Sequence, residues 1–400
     1  MKAILYLRLI LIGFLAITLP ACQSINPDST PTPVSSPTLA PTETSTPAPT
    51  LTPTYTPTFT PTPTITPTPT PLFLVDAGTP LPEILPAISS INAGQVSGLA
   101  AWHDAPIQDI AWHPTTNSLA VATESLINLY DPITRQLVRS LIPPVVGLAV
   151  IAYDPTGNWL AAGSRQGSPE TGFQSDLQLW FGTDLTPVGV LFSSPQGISD
   201  ISFSPANNLF SAAYSAPLEA DNRIDFWNPA TWTITGTLKT GISLLGAFSP
   251  GGSIYATTPD RYSISVWDLA ANGTRVFKLP TSFTGAVNAL AYAPSGLTLA
   301  TGHYDGRIIL WDLFTGTQMV SMQTDGVVES LAFSPDGTVL ASGSGFADQA
   351  IRLWNPATGE LMNTLPGHLA GVNNLAFSPN GQYLASGSYD GDLRLWGIRP

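Results

Sequence analysis

The sequence predicts an all-β protein in which seven similar four-stranded units follow a long segment unable to fold with them. Three observations carry that reading. First, an aliphatic, a small and an aromatic residue followed by a proline-headed turn recur at Pro114, Pro155, Pro205, Pro250, Pro294, Pro335 and Pro379, in steps of 41, 50, 45, 44, 41 and 44 residues. A period near forty marks an array of structural units rather than one irregular core. Second, another aromatic column falls once per period, at Tyr130, Trp180, Trp227, Trp267, Trp311, Trp354 and Trp396. Third, residues 27–71 hold 14 Pro and 17 Thr with only Asp28 and Glu43 charged, so they have almost nothing to bury against their ordering entropy.

In chain order, Lys2 and Arg8 precede an apolar run from Leu9 to Leu19. That run is short for a membrane span, which needs about twenty residues, and suits the core of a signal peptide over residues 1–21. It ends Leu19-Pro20-Ala21-Cys22, which resembles the lipobox of bacterial lipoproteins, with Pro20 standing where a small residue is usual. The resemblance implies cleavage before Cys22 and lipidation of its thiol. Two or three acyl chains would then hold the protein stably on a bilayer. Localisation is therefore expected to be extracytoplasmic, lipid-anchored to the bacterial cell membrane. Cys22 is the chain's single cysteine, so no intrachain disulfide or cysteine-based zinc site can form.

Residues 22–93 are expected to be the lipidated cysteine and a disordered Pro/Thr-rich tether. Alternating Pro-Thr favours polyproline II, at ~3.1 Å per residue, as a passive linker or a glycosylated stalk.

Residues 94–400 carry the repeats. In the last one, Val372–Phe377 reads as a first strand, Pro379-Asn380-Gly381 as a turn, Tyr383–Ser388 as a second strand and Leu393–Trp396 as a third. Proline presets the turn backbone, and Gly or Asn takes the positive φ that follows. One position before each first-strand aromatic stands a small residue: Ala111, Ala152, Ser202, Ala247, Ala291, Ala332 and Ala376. Sheets pressed around a common axis leave an innermost strand little room on one face. The region has 12 Lys/Arg against 23 Asp/Glu. An acidic surface without a basic stripe repels phosphate backbones, which excludes nucleic acid as a partner.

Asp follows the second aromatic column at Asp131, Asp268 and Asp312, Asn follows it at Asn228 and Asn355, and Gly367-His368 opens the last repeat. These residues, in phase over about three-quarters of the chain, resemble WD40 repeats. The family implies a seven-bladed β-propeller of four-stranded blades that manages its edges by closing the ring. The last repeat lacks an outermost strand, and Gln95–Ala101 lines up with Leu361–Pro366, the outer strand of blade six. The N-terminal strand is thus expected to complete blade seven.

The resemblance assigns His368, Ser386, Asp390 and Trp396 to the family's structural hydrogen-bonded tetrad rather than to a catalytic triad. The set is partial elsewhere. Thr301, Asp305 and Trp311 match it in blade five with Phe283 in the His position, Thr324 replaces the His in blade six, and His103 stands in blade one without the Asp-Gly turn. His113 and His303 are expected at surface or turn positions. The chain has no H-E-x-x-H, P-loop, G-x-S-x-G or EF-hand pattern, and Gly343-Ser344-Gly345 falls within a second strand. No catalytic residue, cofactor or metal is expected.

The departures from the period are informative. Blade two lengthens its second hairpin from Arg165 through Asp176, blade three from Ser215 through Asn222, and blade six slightly around Phe346-Ala347-Asp348. Loops on a rigid scaffold are where function concentrates. Arg165, Glu170, Asp176, Glu219 and Asp221 are therefore candidates for a partner-binding face, with a calcium site among the acidic ones as a further option. Gln108, Ser199, Asn288, Glu329 and Asn373, at the starts of first strands, are expected to ring the channel mouth on that face. The resulting expectation is a non-enzymatic, monomeric propeller that binds a protein or a cell-surface component. Two alternatives are a propeller hydrolase or lyase with a metal or carboxylate site at the channel mouth, near Asp200 and Glu329, and an intracellular assembly scaffold.

Overall fold

In the computed structural model the described residues are 81, 85–143, 147–168, 172–182, 184–215, 222–239, 245–260, 262–270, 273–279 and 285–399. The expected signal peptide, Cys22 and the Pro/Thr segment lie outside them, as do Glu170, Glu219, Asp221 and Phe283.

Seven antiparallel sheets follow one another. Blade one is Ile107–Trp112, Leu119–Thr123, Ile127–Asp131 and Gln136–Leu141, in simple meander order from inner to outer strand. Blades two to six repeat that order. Each inner strand contacts the inner strand of the next blade, and the last contacts the first, so the ring is closed. Blade seven is built from both ends of the described chain. Asn374–Phe377, Leu384–Gly387 and Asp392–Ile398 supply three strands, and Val96–His103 adds the fourth. The register runs antiparallel from Val96 opposite Ile398 to His103 opposite Asp392. The ring-closing strand expected from Gln95–Ala101 is present and runs two residues further.

Seven apolar clusters fill the space around the ring. One joins blades six and seven through Val339, Ile351, Leu353, Leu384 and Trp396; another joins blades seven and one through Ile107, Leu119, Leu393 and Leu395. The spacing between sheets is tight. A methyl on Gly387 would lie 2.6 Å from Ile107 Cγ2, and one on Gly302 would lie 2.5 Å from Val328 Cγ1. Small residues at the inner end of each second strand therefore let neighbouring blades approach.

A segment with no counterpart in the repeat lies across the face formed by the first turns of the blades. Leu85, Ile88 and Ala93 are buried there, as is Leu81. Ile88 N–H donates to Gly381 O (2.8 Å) in blade seven and Leu81 N–H to Ile133 O (3.0 Å) in blade one. Ser90 N–H donates to Thr338 Oγ1 in blade six, and Gln382 Nε2 donates to Leu85 O. This strap therefore bridges blades six, seven and one, on the face opposite the second hairpins.

One expectation about the lengthened hairpins is corrected, and the other falls outside the described residues. The lengthened hairpin of blade two is largely sheet: Gln166–Ser168 pairs with the start of a ten-residue strand, Gly172–Phe181. Asp176 lies within that strand, buried, and accepts from Ser193 Oγ, so it is not part of an exposed acidic patch. The blade-three insertion falls mostly at 216–221, outside the described residues.

Candidate interaction face

The second hairpins of the blades and the links between blades share one face, opposite the strap. In blade seven, Trp396 Nε1–H donates to Ser386 Oγ (2.9 Å). Ser386 Oγ lies 2.8 Å from His368 Nε2, and His368 Nδ1 lies 3.1 Å from Asp390 Oδ2. Burial lowers the pKa of His368 despite the adjacent carboxylate. The consistent assignment is a neutral ring that accepts from Ser386 O–H and donates Nδ1–H to Asp390. Burial alone would raise Asp390, but N–H donors from Leu369 and Asp392 and the neighbouring His368 outweigh it and hold its carboxyl low. Each of these four side chains thus has a partner, in a chain that runs from the third strand through the second to the preceding link and the hairpin turn.

Blade five contains a related chain that the sequence reading missed. His303 is fully buried, and its Nε2 lies 2.9 Å from Thr301 Oγ1, which also accepts from Trp311 Nε1 (3.0 Å). The expectation of a surface histidine is corrected: His303 reaches Thr301 from its own hairpin rather than from the preceding link. His113 is also buried, with its Nδ1 facing the N–H groups of Thr115 and Thr116 and its ring edge-on to Tyr153. The Trp-to-hydroxyl bond recurs without a histidine in blade four, Trp267 to Thr257 (3.0 Å), and in blade six, Trp354 to Ser342 (2.8 Å). Thr324, in the histidine position of blade six, donates to Gly326 O (2.6 Å). His103 turns outward to Asp392 (2.9 Å). Blade one instead sets Asn128 and Tyr130 on Asp104.

The expected channel-mouth residues share a structural cause. Gln108, Ser199, Asn288 and Glu329 each occupy the point where the inner strand's register shifts by one, a β-bulge. Asn288 and Glu329 line a cavity of about 210 Å³ with Asp200, Ser330 and Asn374. Asn373 spends its amide on Ile107 O (2.9 Å), and Ser199 Oγ donates to Ala213 O (3.3 Å). The residues next to the bulges join blades. Asp109 Oδ2 accepts from Ile151 N–H (2.8 Å), Asp200 Oδ2 from Gly246 N–H (2.7 Å), and Ser330 Oγ donates to Val372 O (3.0 Å). Asp109 and Asp200 are half-buried, and desolvation pushes each up to about 7. Burial also raises Glu329. Among the described residues no three His, Cys, Asp or Glu side chains gather as metal ligands.

The rim differs around the ring. Arg165 is exposed and its N–H donates to Gly147 O (2.7 Å). In blade three, Arg223 pairs with Asp225 and Gln196. Blades five to seven present large apolar side chains instead: Tyr304, Phe346, Leu369 and Tyr389 are all exposed. Phe346 and Tyr389 stack with ring centroids 5.6 Å apart and planes within 4°. The sequence marked Phe346 only as part of a slight excess in blade six and did not single out the side chains of Tyr304, Leu369 or Tyr389; only the fold puts Phe346 against Tyr389.

A closed ring of seven four-stranded blades, with Trp–hydroxyl–His bonds between strands, defines a β-propeller of the repeat type. The chain carries WD40 repeats: the sequence model of the WD domain, G-beta repeat, matches residues 273–312, 316–355 and 359–397. Over 296 residues the chain is 24% identical to a guanine nucleotide-binding protein subunit beta of Arabidopsis thaliana, covering 70% of this chain and 71% of that one. It is 28% identical over 148 residues to the APC/C activator protein CDC20 of Saccharomyces cerevisiae, and 27% identical over 189 residues to autophagy-related protein 16 of Arabidopsis thaliana. Those two matches span 24% and 35% of the relatives' lengths.

Proposed function

We propose that this protein is a non-enzymatic, lipid-anchored extracytoplasmic scaffold that binds another protein through the hairpin face of its propeller. One observation carries the binding part of the reading. On that face the second hairpins of blades two, five, six and seven are bonded to the preceding link, by Arg165 N–H to Gly147 O, Tyr304 N–H to Ala286 O, Gly345 N–H to Val327 O and Tyr389 N–H to Gly371 O. A surface held in this way loses little freedom on association. The relatives named as a G-protein subunit, an APC/C activator and an autophagy protein support a protein partner in general terms. Anchoring rests on the Leu19-Pro20-Ala21-Cys22 motif and the Pro/Thr tether that follows.

The chemistry of the channel gives less support to catalysis. Raised carboxyl groups in a cleft are candidates for acid–base work. Yet Asp109 and Asp200 each accept from backbone N–H groups, one of them across the blade boundary, which is a structural use.

The anchoring test is metabolic labelling with a palmitate analogue in a bacterial host. The full chain should take up label and sediment with membranes, and Cys22→Ser should abolish both. Label-free protein, or membrane association that survives the substitution, would overturn the anchored reading. A stoichiometric metal in the purified chain would favour the enzymatic alternative.

A further inference from the structure

We infer that the cavity at the channel mouth binds a primary ammonium group on an alkyl stem, with the Glu329 carboxylate as its counter-charge and the Asn288 amide beside it. The site is separate from the rim of hairpins that the scaffold reading uses, so either can fail without the other.

The cavity, of about 210 Å³, is lined by residues from the inner strands of blades three to seven. Among the described residues no Lys, Arg or His lines it. Its two carboxylates differ in what answers them. Asp200 accepts from the N–H groups of Gly246 (2.7 Å) and Ile201. Glu329, carried on the bulge of blade six, has no donor or basic side chain among the described residues to answer it. Burial alone acts on its carboxyl and raises it. A carboxylate withdrawn from water without a partner is costly, and a bound cation would remove that cost.

The hydrogen-bond inventory of the lining points the same way. Gly246 N–H is spent on Asp200, Ser330 O–H on Val372 O (3.0 Å), and the Asn374 amide N–H on Gln108 O (2.8 Å). What these side chains keep are acceptor oxygens. The Asn288 side chain, on blade five, has no partner among the described residues. A ligand rich in N–H donors is therefore matched, and an anion is repelled.

Three considerations select the ammonium. Its three donors diverge, which suits acceptors carried on separate blades, whereas a guanidinium fork is made for one bidentate carboxylate. Calcium takes about six to eight oxygen ligands, and no three His, Cys, Asp or Glu side chains gather among the described residues. Leu290, Leu331 and Leu375 line the same space and offer apolar surface to an alkyl stem.

The test titrates n-butylamine, n-butanol and methylguanidinium into the purified full chain at neutral pH, read by saturation-transfer NMR, with calcium added as a competitor. The amine should bind saturably, and n-butanol at least tenfold more weakly. Glu329→Gln keeps the shape, removes the charge and should weaken the amine roughly tenfold. Asn288→Ala, on the neighbouring blade, should weaken it less. Asp325→Asn is the control: that carboxylate is 88% exposed on the rim, and its loss should change nothing. Unchanged melting of the variants would confirm intact folding. The peptide acetyl-Gly-Lys-Gly-amide separates two sources of the ammonium. Binding tighter than that of butylamine assigns it to a lysine of a protein partner, and weaker binding assigns it to a free amine. No saturable amine binding, equal binding of n-butanol, or binding untouched by both Glu329→Gln and Asn288→Ala would overturn the site. Tighter binding of methylguanidinium, or bound calcium that the amine does not displace, would overturn the ammonium as its ligand.

Discussion

At the scale of single residues, the Ser386 hydroxyl accepts from Trp396 and meets His368 in one buried chain. Ser386→Ala leaves an indole N–H and an imidazole nitrogen without that partner. It should cost about 1–3 kcal/mol in urea unfolding, the penalty for stranding buried polar groups. The carboxyl groups give a pH prediction with opposite signs. Asp109 and Asp200 are raised to about 7 in the fold, above their unfolded value near 4. The folded state then holds more protons than the unfolded one between those limits, so their contribution is full below about pH 4 and is lost as pH rises through about 7. Asp390, held low, contributes stability above its unfolded pKa that is lost as pH falls through its folded one. Urea unfolding at pH 5 and pH 8 should therefore show a decline towards pH 8 that Asp109→Asn reduces; an identical slope in the variant would refute the assignment. The blade-seven tetrad was legible in the sequence because all four residues kept their spacing. His303 was not, because the family pattern places a histidine in the link before the blade, and this one approaches Thr301 from inside the hairpin.

Among elements, the strap was invisible to the repeat argument. Residues 85–95 match no other repeat, and their buried Leu85 and Ile88 read as ordinary apolar residues near a Pro-rich segment. The blade-two insertion was legible as extra length but not as sheet, since pairing of Gln166–Ser168 with Gly172–Gln174 is a tertiary outcome that local composition does not fix. Removing 96–103 should strip blade seven of its outer strand and lower the melting temperature sharply. Removing 85–95 should lower it less, through lost apolar burial and the bonds to Gly381, Thr338 and Gln382. Removing 27–71 should leave it unchanged. Equal melting of all three truncated chains would contradict these roles. At the blade boundary, Gly302→Val inserts atoms where Val328 already stands within 2.5 Å of a first methyl, and should cost about 1–3 kcal/mol by overpacking.

For the whole molecule, seven periods predicted seven blades, because each sheet needs a neighbour on both faces and only a ring supplies one to every sheet. The periodic positions fixed the blade number, the inner-strand aromatics and the closure, but left the partner face unresolved. Bulges carry Gln108, Ser199, Asn288 and Glu329 to the inner strands, while the exposed aromatics lie at positions the period does not constrain. A closed ring should also melt as one unit. Near-ultraviolet signals from Trp227 in blade three and Trp396 in blade seven should disappear together, and a variant weakened at the seam should shift both; separate transitions would mean the blades unfold singly.

That seam joins His103 to a residue 289 positions away. The segment synthesised early must wait for one made near the end before either finds its lasting neighbour, and the entropy of drawing such distant points together is met only at that moment. Until then the last blade lacks its outer strand, and the ring stays open at that one place.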